Sequence, residues 1–253
     1  MNPIRFRYQL MERTMRALLL SLIYTLISGY SAFAGDSHVI KVQDILDKKK
    51  AEFSAKAPEK KKSDYERGIQ LVRDSGVEKA AKQVGDKAPN FVLPNALGED
   101  VTLYSLLKDG PVILTWYRGG WCPYCNLYLH ELQEVLLEFT KAGAQLVAIS
   151  PELPDNSVDT QKKNKLAFHV LSDVQNKVGK EFGVVYALPD FIADYYNNAF
   201  DLVKYNGDDS NELPLSASYL IAQDGTITYA FLDADYRKRS EPAELLKAVE
   251  ALQ

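Results

Sequence analysis

Val112-Ile113-Leu114-Thr115-Trp116-Tyr117-Arg118-Gly119-Gly120-Trp121-Cys122-Pro123-Tyr124-Cys125 decides how the rest of the chain is read. Its first six residues form an apolar, β-branched and aromatic run opened by Gly110-Pro111, as a buried strand requires. The glycines allow a tight turn close to other backbone. From Cys125 the apolar side chains Leu129, Leu132, Leu136 and Phe139 recur at helical spacing, and Gly143 supplies a terminating residue. The dithiol therefore falls where a central strand turns into a helix. A thiol at a helix N-terminus faces unsatisfied N–H groups and the positive end of the helix dipole, which favour the thiolate. Pro123 fits the first helical turn, where its missing N–H costs nothing. Cysteines three apart there lie on one side, with Cys122 expected as the outer, accessible thiol and Cys125 as the shielded one.

The pattern points to redox chemistry. Half of a zinc site would need two more Cys or His ligands, and the chain has two cysteines and only His38, His130 and His169. A disulfide closing so short a loop would remove little chain entropy, which argues against a purely structural bridge. No cofactor or metal is expected.

Three landmarks follow one another in order: Gly85-Asp86-Lys87-Ala88-Pro89-Asn90-Phe91, the strand ending in Cys122-Pro123-Tyr124-Cys125, and Tyr219-Leu220-Ile221-Ala222-Gln223-Asp224-Gly225. This order resembles the thioredoxin-fold superfamily and, more narrowly, the peroxiredoxin-like proteins of the alkyl hydroperoxide reductase/thiol-specific antioxidant family. The resemblance covers roughly residues 84–252. It implies a thioredoxin-like three-layer α/β/α sandwich with a mixed central sheet. It also implies that Cys125 stands at the peroxide-reducing cysteine of the family's Pro-x-x-x-Thr-x-x-Cys segment, with Cys122 at the threonine and Arg118 at the proline. The family's peroxide-binding arginine, or the cis-proline of thioredoxins, would precede the strand at Tyr219, where this chain has Ser216. Arg118 is then the expected cation, with Arg237 and Arg239 given surface roles. Thr115, Tyr117, Arg118, Trp121 and Ser216 are the expected substrate pocket.

The chain has 253 residues, a net charge of −4 and 46% hydrophobic residues, which suits one globular domain with extensions. The charge gives no reason to expect nucleic acid as a partner. Residues 1–34 read as a secretion signal: Arg5, Arg7, Arg13 and Arg16, a short apolar core over residues 17–27, and Ala32-Phe33-Ala34 as the cleavage site. The expected compartment is a bacterial periplasm or the cell exterior, with no stable membrane association once the signal is removed; an uncleaved anchor is the alternative. Residues 35–84 read as a charged extension of two helices, carried by Val39, Val42, Leu46 and Phe53 and by Tyr65, Ile69 and Val72, around a solvated linker at Ala57–Lys62.

Residues 85–253 then form the thioredoxin-like domain. Phe91–Leu103 reads as a hairpin and residues 144–150 as a second buried strand parallel to the first. Helices follow near 157–165 and 176–182, with a short strand at 168–171. Residues 186–212 form an aromatic-rich insertion, 218–231 a second hairpin, and Ser240 caps a final helix. The function expected from the resemblance is reduction of hydroperoxides by the dithiol, with Cys125 attacking, Cys122 resolving and a thioredoxin-like donor recycling the pair. The first alternative is an exported protein dithiol–disulfide oxidoreductase in which Cys122 attacks first. The second is a non-enzymatic redox sensor. The sequence leaves the oligomeric state open.

Overall fold

The computed structural model describes residues 41–253. The proposed secretion signal and Val39 lie outside the described residues. Two helices lead into the domain, α1 (Val42–Lys56) and α2 (Glu59–Asp74), followed by a short turn of helix α3 (Val77–Ala80). The break between α1 and α2 is only Ala57-Pro58. The lysines of the expected linker belong instead to α2, because Pro58 fixes the residue before the helix and leaves Glu59 to open it.

Strands β1 (Val92–Pro94) and β2 (Asp100–Thr102) form the expected hairpin, and α4 (Leu103–Leu106) returns the chain to the core. The central sheet then takes β3 (Val112–Trp116), β4 (Gln145–Ser150), β5 (His169–Ser172), β8 (Ser216–Ile221) and β9 (Ile227–Asp233) in the order β5-β4-β3-β8-β9. The first three strands are parallel, and β8 and β9 are antiparallel, so the sheet is mixed. Every residue of β3 is buried, which its uninterrupted apolar run requires at the middle of a sheet covered on both faces.

Alternation along the strands sends side chains into two cores. Val112, Leu114 and Trp116 join Val147, Ile149 and Tyr219 on one face. Ile113 joins Leu146, Ala148 and Leu220 on the other. The second face carries α1, α5 (Pro123–Glu134), α6 (Leu136–Lys141) and α11 (Pro242–Glu250). The helix expected to run from Cys125 through Phe139 is interrupted at Val135, whose ψ of 8° leaves the helical range. α7 (Pro154–Asn164) packs beside β5, and α8 (Lys177–Glu181) follows it. The aromatic insertion contains β6 (Val185–Ala187), α9 (Asp190–Phe200), α10 (Leu202–Asn206) and β7 (Glu212–Pro214). The β6–β7 pair was not legible as strands, because three-residue segments carry too little alternation to be read.

α1 and α2 are part of the folded body. Val42 and Leu46 enter the second core, Ile69 and Val72 are buried, and the carboxylate of Glu241 accepts the N–H groups of Val42 and Gln43 at 2.9 and 3.0 Å. Glu241, not Ser240, precedes α11; the Ser240 hydroxyl is hydrogen-bonded instead to the hydroxyl of Tyr128 at 2.6 Å.

Candidate active site

β3 hands over to its helix through the six residues 117–122. The N–H of Tyr117 continues the sheet by donating to the carbonyl of Ile149 at 2.9 Å, and the chain then turns through Arg118-Gly119-Gly120-Trp121. Gly119 has φ of 142°, and a Cβ there would lie 2.4 Å from Trp121 Nε1; one on Gly120 would lie 2.1 Å from Thr160 Oγ1. Only glycine passes both positions without displacing its neighbours. A buried carboxylate, Glu152, holds the turn from beneath by accepting the Tyr117 hydroxyl and the Gly120 N–H, the latter at 2.9 Å. Its burial raises its pKa above the ordinary carboxylate value, against the pull of those donors. The turn closes with the Cys122 N–H donating to the Gly119 carbonyl at 3.0 Å. Cys122 is then the residue before α5, Pro123 its first residue, and Cys125 its third.

Both thiols are free and buried. Cys122 is 1% exposed and Cys125 fully enclosed, so the expectation of an accessible outer Cys122 is corrected: it belongs to the buried cluster that includes Tyr117, Tyr124 and Tyr128. The two sulfurs have opposite surroundings. Burial raises the thiol of Cys125, but the hydrogen bond from Cys122, the charges of Arg239 and Arg118 and the backbone N–H of Arg118 outweigh it and bring the thiol below its ordinary value. Burial pushes Cys122 well up, and its hydrogen bond to Cys125 and the charge there act the same way. The surroundings thus favour the thiolate on Cys125 and the proton on Cys122.

The cation beside Cys125 is Arg239. Its Nη2 lies 3.3 Å from Cys125 Sγ, while Nη1 donates to the hydroxyl of Ser216 and to the Lys238 carbonyl, the latter at 2.8 Å. The surface roles expected for Arg237 and Arg239 are thus corrected, since each is only 5% exposed. Arg237 makes a two-pronged bond to Glu66 at 2.6 and 2.9 Å and a second pair with Asp235 at 2.7 and 2.8 Å. These fix the segment between β9 and α11 from which Arg239 reaches inward. Ser216, where the resemblance led us to expect an arginine, receives one brought from 23 residues further along the chain.

The remaining expected pocket residues separate into two groups. Thr115 Oγ1 is hydrogen-bonded to the Ser218 hydroxyl at 2.8 Å and donates to the Ala217 carbonyl at 3.2 Å; with Tyr117 on Glu152, both side chains serve the framework. Arg118 and Trp121 stay together. The Arg118 guanidinium sits 4.1 Å from the ring centre of Tyr236, 4.9 Å from Tyr196 and 5.1 Å from Trp121. Trp121 stacks on Phe200 at 4.5 Å. Arg118 also lines a narrow cavity with Tyr65, Ile69, Tyr186, Ile192 and Tyr236. Thr115, Tyr117, Trp121 and Ser216 are not in its wall. Among the described residues no cluster of three or more His, Cys, Asp or Glu is placed to hold a metal ion.

The dithiol thus stands at a strand–turn–helix junction on a mixed five-stranded sheet, with the Arg239 guanidinium 3.3 Å from the sulfur of Cys125. The sequence profile of the AhpC/TSA family matches residues 84–230. The chain belongs to that family. Among its AhpC/TSA relatives, a putative chloroplastic peroxiredoxin Q of Oryza sativa subsp. indica is 29% identical over 168 residues, covering 66% of this chain and 67% of that protein. A putative peroxiredoxin of Mycobacterium tuberculosis is 34% identical over 99 residues, covering 39% of this chain and 62% of its own. The crystal structure of peroxidoxin BcpB from Mycobacterium tuberculosis superposes with a TM-score of 0.54 at 22% identity, over 68% of this chain and 98% of that one. A peroxiredoxin-like protein from Aquifex aeolicus gives 0.53 at 17% identity, over 68% and 89%. The AhpC/TSA domain of this chain therefore has the thioredoxin fold, and α1 and α2 precede the matched region.

Proposed function

We propose that the protein is a thiol peroxidase that reduces hydroperoxides through Cys125 and Cys122. The observation that carries this reading is the pairing of Cys125 with Arg239 at 3.3 Å, which stabilises the thiolate and provides a donor for peroxide oxygen. The Cys125 thiolate attacks one oxygen of ROOH and the O–O bond breaks. The other oxygen leaves with the bonding electrons and is protonated to ROH. Cys125 becomes a sulfenic acid. Cys122 sulfur then attacks Cys125 Sγ, the S–O bond breaks, and hydroxide leaves with the Cys122 proton as water. The resulting disulfide takes two electrons and two protons from an external dithiol, for which a thioredoxin-like protein is the natural class.

The burial of Cys122 and its raised pKa count against the alternative in which Cys122 attacks a protein disulfide, since that step needs an exposed thiolate at this position. The basic start, apolar core and Ala32-Phe33-Ala34 of the N-terminal sequence support export to a periplasm or the cell exterior. The function is tested by supplying the reduced protein with hydrogen peroxide and a thioredoxin system. Sustained consumption that stops in Cys125→Ser is expected; consumption no faster than with the unfolded chain would overturn the reading.

A further inference from the structure

We propose that the N-terminal extension is a working part of the dithiol site: Glu66 on α2 is a positioning residue that acts through Arg237 to hold Arg239 against Cys125. This rests on the peroxidase reading for its catalytic meaning, and it adds to that site a residue from outside the matched region, 84–230.

The segment 234–241, which carries Arg239 from β9 to α11, is neither helix nor strand. Its turn, closed by the Lys238 N–H on the Asp235 carbonyl at 2.8 Å, stops short of Arg239. A stretch without a ladder of backbone hydrogen bonds is ordered by the groups packed against it. Beyond the adjoining Asp233, hydrogen bonds from the domain reach only Arg239 and Ser240 among the described residues. The extension holds the rest. Glu78 accepts the Ala234 N–H at 2.6 Å, the Gln43 amide donates to the Arg237 carbonyl at 3.3 Å, and Glu241 accepts the N–H groups of Val42 and Gln43.

Arg237 is the anchor. Its buried guanidinium is fully bonded: Nη1 to Glu66 at 2.6 Å, Nη2 to Glu66 at 2.9 Å and to Asp235 at 2.8 Å, and Nε to Asp235 at 2.7 Å. A two-pronged guanidinium–carboxylate contact fixes direction as well as distance. Arg239 follows two residues later, so its backbone stays within about 7 Å of this anchor, the reach of two peptide units. A group that serves a reacting atom loses much of its effect when displaced by about 1 Å. Without Glu66, Arg237 keeps side-chain bonds only to Asp235, which belongs to the same segment and ties it to nothing else.

The sign of the effect separates positioning from simple electrostatics. Cys122, Arg118 and Arg239 are the titratable and charged groups that act on Cys125, and none of them is altered by a change at Glu66. Deleting a carboxylate removes negative charge, which by itself favours a thiolate and lowers the inflection. A Cys125 titration that moves upward therefore reports the displacement of Arg239.

The test follows the Cys125 thiolate by its ultraviolet absorbance as pH is varied. It uses the full chain carrying Cys122→Ser, with the protein lacking both cysteines as the blank, and adds Glu66→Ala, Glu66→Gln or Tyr195→Phe. Glu66 is half exposed, so its replacement leaves the core intact, and urea melts confirm that each variant folds. In Glu66→Ala the thiolate present at a fixed pH below the inflection should fall about threefold or more, an upward shift of about half a unit. Glu66→Gln, which keeps an acceptor for Arg237, should fall less. Tyr195→Phe removes the 2.8 Å bond from α9 to Asp64 on α2 and touches nothing in the segment, so its titration should match the parent. An inflection unmoved or lowered in both Glu66 variants, or raised as far by Tyr195→Phe, would overturn the proposal. Hydrogen peroxide consumption by the same Glu66 and Tyr195 variants, with Cys122 present, separates this from the function itself. If the titration shifts as expected while no form consumes peroxide, the positioning stands and the peroxidase reading fails. If the wild type consumes peroxide and the Glu66 variants match it in rate and titration, the peroxidase reading stands and the positioning role fails.

Discussion

At the scale of single residues, Arg239 governs the reactivity of Cys125. Replacing Arg239 with Met removes the only side-chain cation within hydrogen-bond reach of that sulfur among the described residues, while Arg118 stays. The peroxide rate at pH 7 should fall about 10²–10³-fold, as when a preorganised donor is lost from a transition state, with Arg239→Lys recovering part of it by stopped-flow measurement. The pH profile should move with it. A thiol held below its ordinary value, which is about 8.5, is already ionised at neutral pH, so the wild-type rate should be flat there and decline only toward acid. In Arg239→Met the inflection should shift upward, making the rate still rise through pH 7–8. An unshifted profile would mean that Arg239 does not stabilise the thiolate. The two cysteines and Arg118 were legible in the sequence because strand, glycines and helix stripe are local patterns. Arg239 was not, since nothing local distinguishes an arginine that turns inward at Ser216 from the neighbouring Lys238, which stays 44% exposed beside Asp47.

At the scale of elements, the dithiol turn depends on two glycines and the carboxylate under them. Gly120→Ala would push a methyl group to 2.1 Å from Thr160 Oγ1 and strain the Gly120–Glu152 bond. Denaturant unfolding should show a loss of about 1–3 kcal/mol, the usual cost of forcing extra volume into a packed interior. Glu241 tests a different junction. Its carboxylate caps α1 from the start of α11, and Glu241→Ala should cost about 0.5–2 kcal/mol by the same measurement. The central strands and α5 were readable because β3 is one long apolar run and the helix keeps its spacing. Val135, which ends α5, and the short β6 and β7 were not, because the first is one backbone torsion and the others pair across the inserted α9 and α10.

At the scale of the whole molecule, the extension is bound to the segment that delivers Arg239. Glu66 grips Arg237, Arg73 lies 3.3 Å from Asp233, and Glu78 accepts the Ala234 N–H at 2.6 Å. α1 and α2 should therefore unfold with the domain in one transition, which coincident fluorescence and far-ultraviolet circular dichroism curves would register. Leu46→Ala, at a fully buried position on α1, should lower the stability of that single transition by about 2–5 kcal/mol. A separate early transition would show that the extension is an appendage. The sequence showed two amphipathic helices at this end, but their packing partners lie some 170 to 200 residues away and leave no trace in local spacing.

The most direct test of the central claim, that Cys125 and not Cys122 is the attacking thiolate, is a single-turnover trapping experiment. Reduced Cys122→Ser and Cys125→Ser variants are mixed with one equivalent of hydrogen peroxide and a sulfenic-acid trap, and the adduct is located by peptide mass spectrometry. The account predicts rapid labelling of Cys125 in Cys122→Ser and none of Cys122 in the converse variant. Labelling of Cys122 at a comparable rate, with Cys125 unmodified, would contradict it.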